Sequence, residues 1–319
     1  MMFHKACSRM FLIWLTLAVG LMLAGCASGS GDPGLGSEDA GQSEGIFVDG
    51  LGREVEISGP AQRVVSLSAS NTEILFAIDA GAQVVGRDEF SDYPPQALDL
   101  PNVGGGWGEL NLEAIVALEP DLVLASKIHT VEQVQSLEAL GLTVFLVPNP
   151  ASFDDLYGII EQVGVLVGRQ PEAQALAAEL ANRVQLVAER VRGAELVKVY
   201  YEIDATDPSA PYTAGSGTFG DMLISEAGGE NVAGSLEGWV QLGLEELVAQ
   251  DPQVMFFATG PFIPTTVESV AERPGWGAIS AVAHGAVYPI DSDLIDLPGP
   301  RLVDGLELLA KAIHPEVFE

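Results

Sequence analysis

The chain reads as an α/β protein of two lobes, each a mainly parallel sheet covered by helices, joined by one long α-helix. Three observations predict this. Apolar strand-like runs alternate with helix-like stretches, and their connections are too long for hairpins, the pattern of parallel sheets with crossover helices. One phrase occurs twice: Asn111-Leu112-Glu113-Ala114-Ile115-Val116-Ala117-Leu118-Glu119-Pro120-Asp121-Leu122-Val123 returns as Gly243-Leu244-Glu245-Glu246-Leu247-Val248-Ala249-Gln250-Asp251-Pro252-Gln253-Val254-Met255. Between the two copies, Pro171 to Arg192 runs without a helix breaker and ends at Gly193. At 1.5 Å per residue that stretch spans about 33 Å, the width of a small domain. Pattern alone leaves open whether it links the lobes or packs on the first of them.

Taken in order, residues 1–25 read as a lipoprotein signal peptide. Lys5 and Arg9 precede an apolar run from Phe11 to Met22, and Leu23-Ala24-Gly25-Cys26 closes it with small residues before a cysteine. That tetrapeptide resembles the lipobox of bacterial lipoproteins, so Cys26 is expected to carry lipid. Residues 26–45 then form the acylated cysteine and a flexible tether, being Gly, Ser, Asp and Glu with almost nothing apolar. The cysteine count is two, Cys7 and Cys26, which leaves no thiol for a disulfide in the mature body.

The N-terminal lobe is expected over 46–170. Ile46 to Ile57 reads as a small hairpin around Asp49-Gly50, Arg63 to Leu67 as a buried strand, and Ser68 to Ile78 as a helix with several candidate caps. Val84-Val85-Gly86-Arg87 is a second strand, followed by the loop Phe90-Ser91-Asp92-Tyr93-Pro94-Pro95. The first phrase leads into the strand Leu122 to Ala125; a helix from Val131 and a strand from Thr143 to Val147 follow, then a helix from Phe153 to Val167. The interlobe helix is placed at 171–193. The C-terminal lobe, 194–319, repeats the pattern: a strand at Leu196 to Tyr201, a glycine-rich loop at 211–219, a helix from Asp221, the second phrase, strands at 254–257 and 286–290, and a closing helix from Pro300.

In each phrase a glutamate opens a short helix and a proline ends it before a buried strand. Glu113 and Glu245 therefore occupy matching first-turn positions, where the helix dipole alone accounts for an acid. The pairing of the two is what points to a shared role. Trp107 lies six residues before Glu113, and Trp239 six before Glu245.

Composition excludes several functions. The chain carries 45 acidic and 14 basic residues. Loss of Lys5 and Arg9 with the signal leaves 45 acids against 12 bases, a formal charge of −33. Such a surface repels nucleic acid and disfavours an anionic ligand unless arginines gather at the site; it also fits a saline habitat. No nucleophile elbow, metal-ligand spacing or phosphate loop is present, so neither a catalytic set nor a metal site is expected, and His129, His284 and His314 read as surface or loop residues. Glu113 and Glu245 as a hydrolytic carboxylate pair would have to lie within about 10 Å of each other, whereas equivalent helix starts in separate lobes place them far apart. Phe90, Trp107, Tyr212, Trp239, Phe262 and Trp276 fall in expected loops, which suits a pocket for a large, flat, partly apolar ligand, with at least two of them plugging sheet ends instead.

Several stretches together resemble the solute-binding proteins of cobalamin, siderophore and haem ABC importers: Arg63 to Glu73, Ser91 to Ala97, the first phrase, Ala227-Gly228-Gly229-Glu230-Asn231 and Pro300-Arg301-Leu302. The likeness runs from about Arg53 to Ile313 and is nearest the cobalamin-binding branch. It implies a ligand held between two lobes on a rigid interlobe helix, with Glu113 and Glu245 salt-bridging arginines of a permease dimer that works with ATPase subunits. It further implies Phe90, Trp107 and Trp239 as aromatic ligand contacts and Asp296 as a polar one, with Tyr212 a further loop aromatic. Phe90 stands where a tyrosine is usual, and Ser126 where a tryptophan often occurs. The expectation is a non-enzymatic, monomeric, lipid-anchored binding protein outside the cytoplasmic membrane, carrying a corrinoid such as cobalamin and no other cofactor. A ferric siderophore or haem is the alternative cargo, and a secreted carboxylate-dependent hydrolase the remote one.

Overall fold

The computed structural model describes residues 44–105, 108–261 and 263–319. Cys26, the targeting segment, Trp107 and Phe262 lie outside the described residues. The described chain opens with an antiparallel hairpin, β1 (Glu44–Val48) and β2 (Glu54–Ser58), so its first strand begins two residues before the expected start of the N-terminal lobe at Ile46. The first lobe then runs β3 (Val64–Ser66), α1 (Ala69–Ala77), β4 (Val84–Arg87), α2 (Leu112–Ala117), β5 (Leu122–Ala125), α3 (Val131–Glu138), β6 (Val144–Leu146) and α4 (Phe153–Val167). After α5 (Gln170–Val191) the second lobe runs β7 (Val197–Asp204), β8 (Tyr212–Ala214), α6 (Phe219–Glu226), β9 (Gly229–Asn231), β10 (Trp239–Gln241), α7 (Leu244–Gln250), β11 (Val254–Thr259), α8 (Val267–Ala271), α9 (Ser280–His284), β12 (Val287–Asp291) and α10 (Leu302–Ile313).

The two lobes share one topology. In the first, the parallel order is β4-β3-β5-β6; in the second, β9-β7-β11-β12 are likewise parallel neighbours. Each repeated phrase thus supplies a short helix and then the third strand of its sheet, beside the first. That strand is buried on both faces, which is why it reads as an unbroken apolar run. Leu122 and Leu124 of β5 join one core while Val123 and Ala125 join another. In β11, Val254, Phe256 and Ala258 share the first of those cores, and Met255 and Phe257 point into a third.

The likeness of the two phrases extends to their backbone. Glu119 (φ 47°) and Asp251 (φ 49°) both end their helices in the left-handed region, each just before a proline. A non-glycine residue is uncommon there. Asp251 is held by accepting from the Ser280 backbone N–H (2.7 Å) and hydroxyl (2.9 Å). The first copy is held by Arg63, which donates to the carbonyls of Leu118 and Glu119.

Helix α5 ties the lobes together. Its face of Ala173, Ala177, Leu180 and Val187 is buried, and Ala173, Leu180 and Val187 belong to the core shared by both sheets. A Cβ at Gly164 of α4 would collide with Ala173, so the two helices meet at close range there. On the other side Arg183 grips α10, with a bidentate contact to Glu307 (2.8 Å each) and one to Asp304 (2.5 Å). This answers the question left open by pattern: α5 packs on elements of both lobes.

Two parts of the second lobe depart from expectation. Tyr212 and Trp239 lie on strands, not loops, because β8 and β10 form an antiparallel ribbon on the sheet edge. β9 was hidden in Gly229-Glu230-Asn231, whose glycine and polar residues carry no strand signal.

Candidate ligand cleft and docking residues

In doubly wound sheets, ligands bind beyond the C-terminal ends of the strands. In the first lobe β3 ends at Ser66 and turns into α1, whose start is capped by Ser68. Three consecutive residues of that first turn each secure a different piece of the rim. Asn71 Nδ2 donates to the carbonyls of Ala125 (3.0 Å) and Leu124 (3.3 Å) at the end of β5. Thr72 Oγ1 lies 2.8 Å from Ser66 Oγ and 2.7 Å from Ser91 Oγ, with its single proton available to one of them. Ser91 in turn donates to the Asp88 carboxylate, which also accepts from the Phe90 backbone N–H. Glu73 reaches across to Arg301 of the second lobe, at 2.9 Å to Nε and 2.5 Å to Nη2. The loop bearing Phe90, itself 39% exposed, is therefore fixed from beneath by a buried polar network.

In the second lobe the ribbon of β8 and β10 presents aromatic surface. Its register pairs Gln241 with Tyr212 and Trp239 with Ala214, so these four side chains share one face. Tyr212 (45% exposed) and Trp239 (48% exposed) stand diagonally across that face, about 7–8 Å apart by strand geometry. Trp276 behaves differently. It is fully buried, donates from Nε1 to the Pro208 carbonyl (3.1 Å), and lies beneath the Arg273 guanidinium. It is one of the expected plugs.

The acid Asp296 is half-buried. Its Oδ2 accepts from the Tyr201 hydroxyl (2.8 Å), and its Oδ1 is buried with no partner among the described residues. Burial holds a proton on this carboxyl up to about pH 7, against the lowering effect of Tyr201. Glu73 is likewise pushed up to about 7 by burial, which outweighs the attraction of Arg301. His129 and His314 lie in loops and are buried there.

Two of the three arginines near these rims are committed to carboxylates. Arg273 forms a bidentate pair with buried Glu202 at 2.5 and 2.9 Å. Arg301 is shared by Glu73 and Asp293, and its Cζ lies 4.1 Å from the Tyr93 ring centroid. Arg87 is buried, with Nη1 donating to the Asp88 carbonyl (2.8 Å). Arg273 and Arg301 thus offer no free guanidinium to an anionic ligand, whereas Arg87 makes no ion pair among the described residues and its buried Nε has no partner there.

Glu113 and Glu245 are exposed in the first turns of α2 and α7. Backbone bonds place both helix starts at the strand ends that form the rim. Asn111 N–H donates to Val103, whose own N–H donates to Arg87 at the end of β4, and Leu244 N–H donates to Ser209 in the connection between β7 and β8. The two glutamates therefore mark matching points on the rim of each lobe, in helices of separate sheets.

Comparison with known proteins decides the family. Residues 64–294 match the model described as periplasmic binding protein. The chain belongs to the periplasmic binding protein family. This binding protein is 31% identical, over 96% of its length and 98% of the relative's, to the uncharacterized ABC transporter substrate-binding lipoprotein YvrC of Bacillus subtilis. It is 31% identical to a cobalamin-binding protein of Halobacterium salinarum, over 83% of this chain and 73% of that one. Among solved structures, the periplasmic heme-binding protein RhuT from Roseiflexus sp. RS-1 superposes with a TM-score of 0.72 at 27% identity, over 81% of this chain and 99% of that one. The chain is thus a substrate-binding protein of the ABC-importer class, whose members work extracytoplasmically with a permease and its ATPase. No helix among the described residues is long and apolar enough to cross a membrane.

The rim's electrostatics carry a pH signature. A carboxyl whose folded pKa is raised binds its proton more tightly folded than unfolded, so stability is full at low pH and declines as pH rises toward that pKa. For Asp296, moving from 3.8 to about 7, the decline between pH 4 and 7 amounts to roughly 4 kcal/mol as an upper bound. Melting temperatures across this window are expected to fall with rising pH in the wild type and to fall less in Asp296→Asn. Parallel slopes in the two proteins would contradict this assignment.

Only one feature points to the Glu73–Arg301 contact. Glu73 is a lone acid in a helix buried throughout from Ala69 to Leu75, and an acid in such a run calls for a partner.

Proposed function

We propose that this protein is a lipid-anchored receptor that captures a corrinoid between its two lobes and delivers it to an ABC permease. The observation that carries this reading is the exposed aromatic face of Tyr212 and Trp239 beside a rim where Arg273 and Arg301 are paired with carboxylates. A broad, partly apolar macrocycle with neutral amide side chains suits such a surface, because aromatic faces supply contact area without demanding charge. An anionic iron chelate would require guanidinium groups that are free to fork onto its oxygens. The 31% identity to a cobalamin-binding protein over most of the chain supports the same cargo.

Phe90 and Trp107 of the first lobe and Tyr212 and Trp239 of the second are assigned as ligand contacts. Asp296 is assigned as a polar ligand contact, with its Oδ2 engaged by the Tyr201 hydroxyl and its Oδ1 without a partner among the described residues. Glu113 and Glu245 dock onto arginines of the permease dimer, and Cys26 carries the lipid that holds the receptor at the outer face of the cytoplasmic membrane. Haem is the second reading, favoured by the exposed phenol of Tyr212 as an axial ligand and by the structural likeness to RhuT.

The test is a titration of the purified protein with cyanocobalamin, hemin and a ferric hydroxamate. Saturable binding is expected with cyanocobalamin alone. Binding of hemin alone moves the assignment to the second reading, and binding of the hydroxamate alone removes both.

A further inference from the structure

Beyond α5, the two lobes are joined at one more point. Among the described residues, the only hydrogen bonds and ion pairs that pass directly between residues 44–168 and residues 193–319 are those of Arg301 with Glu73. Both side chains are largely buried, at 15% and 2% exposure. The loop before Arg301 is shaped to sit on this carboxylate. A Cβ at Gly299 would lie 2.9 Å from Glu73 Oε2, so a larger residue there would push the loop off. Tyr93, from the same loop as Phe90, covers the outer face of the guanidinium.

Arg301 has a second carboxylate within reach. Its Nη2 lies 2.5 Å from Glu73 Oε1 in the first lobe and 3.3 Å from Asp293 Oδ2 in its own lobe. One guanidinium nitrogen is thus divided between a partner across the lobe junction and a partner at home. Removing a buried cation from its only counter-ion is costly. Arg301 escapes that cost, because Asp293 remains when Glu73 is released.

We propose that Arg301 is a two-position latch: bound to Glu73 it holds the lobes at a fixed separation, and handed over to Asp293 it lets them part. Glu73 and Arg301 are positioning residues for the cleft. Through the first turn of α1 the same contact is continuous with the Thr72–Ser91–Asp88 network that fixes the Phe90 loop, so lobe separation and loop position move together. The proposal needs the two-lobed fold and is independent of which ligand binds.

The two acids are then expected to act in opposite directions, which a role in stability alone does not produce. Full-length protein with Cys7 and Cys26 replaced by serine and spin labels at Ala117→Cys and Ala249→Cys, exposed and equivalent positions on α2 and α7, reports the interlobe distance without any ligand. In the parent a single narrow distribution is expected. Glu73→Gln, which keeps shape and loses charge, should lengthen the mean by more than about 2 Å and broaden it. Asp293→Asn, which removes the competing carboxylate, should leave the distribution as narrow and its mean the same or shorter to within about 1 Å. Arg301→Lys keeps the charge but not the fork, and should broaden the distribution; it stands in if Glu73→Gln does not fold. Unchanged distances in Glu73→Gln or in Arg301→Lys, or broadening in Asp293→Asn, would overturn the latch.

Discussion

Replacing Glu113 and Glu245 together with alanine is expected to abolish delivery to the permease while leaving affinity for cyanocobalamin in solution within about twofold. The expectation rests on where the two side chains sit. Both are exposed, both occupy the first turn of the short helix that precedes the third strand, and neither is tied into a salt bridge within its own lobe among the described residues. Close charge pairs at protein interfaces are worth about 1.5–7 kcal/mol each, so either single variant should cost roughly tenfold or more in coupling, and the pair considerably more. The measurement is uptake by vesicles bearing the importer, set beside binding by the free receptor. Loss of binding in the double variant would mean that these acids shape the cleft, and normal uptake would mean that the permease grips elsewhere.

Trp239→Ala should reduce cyanocobalamin affinity by about 30- to 1000-fold, the range of ~2–4 kcal/mol typical of a buried aromatic anchor. Tyr212→Ala should cost less, since the indole offers more surface than the phenol. The ribbon geometry makes the result interpretable. Trp239 is half exposed at a sheet edge, so its removal leaves no core cavity and the melting temperature should move little. Calorimetry on both proteins checks the pair of outcomes. An affinity unchanged in Trp239→Ala would dissociate the ribbon from the ligand.

Much of the fold was legible because it is written in hydrophobic period. The repeated phrase announces the shared order of the two sheets, since each copy must bury a strand on both faces and therefore shows an unbroken apolar run such as Leu122 to Ala125 or Val254 to Ala258. The breaker-free stretch ending at Gly193 announces α5 for a similar reason, with Gly193 in the left-handed conformation at its end. What was not legible depends on partners distant in sequence. Tyr212 and Trp239 sit among glycines and polar residues that read as loop, and only their mutual pairing makes them strands. Arg301 and Glu73 are separated by 228 positions, and nothing local marks which acid an arginine will choose. Asp296 likewise takes its partner from far along the chain: its Oδ2 accepts from the Tyr201 hydroxyl, 95 positions away in sequence and adjacent in space.

The family membership and the two-lobed fold establish a receptor; the cargo is the claim most open to direct measurement. Isothermal titration of the full-length protein with cyanocobalamin, repeated with hemin and with a ferric hydroxamate, measures it. The expected result is one saturable site per chain for cyanocobalamin and no comparable heat from the other two. A tight single site for hemin or for the iron chelate, with none for cyanocobalamin, would contradict the corrinoid assignment while leaving the fold, the rim glutamates and the interlobe latch standing.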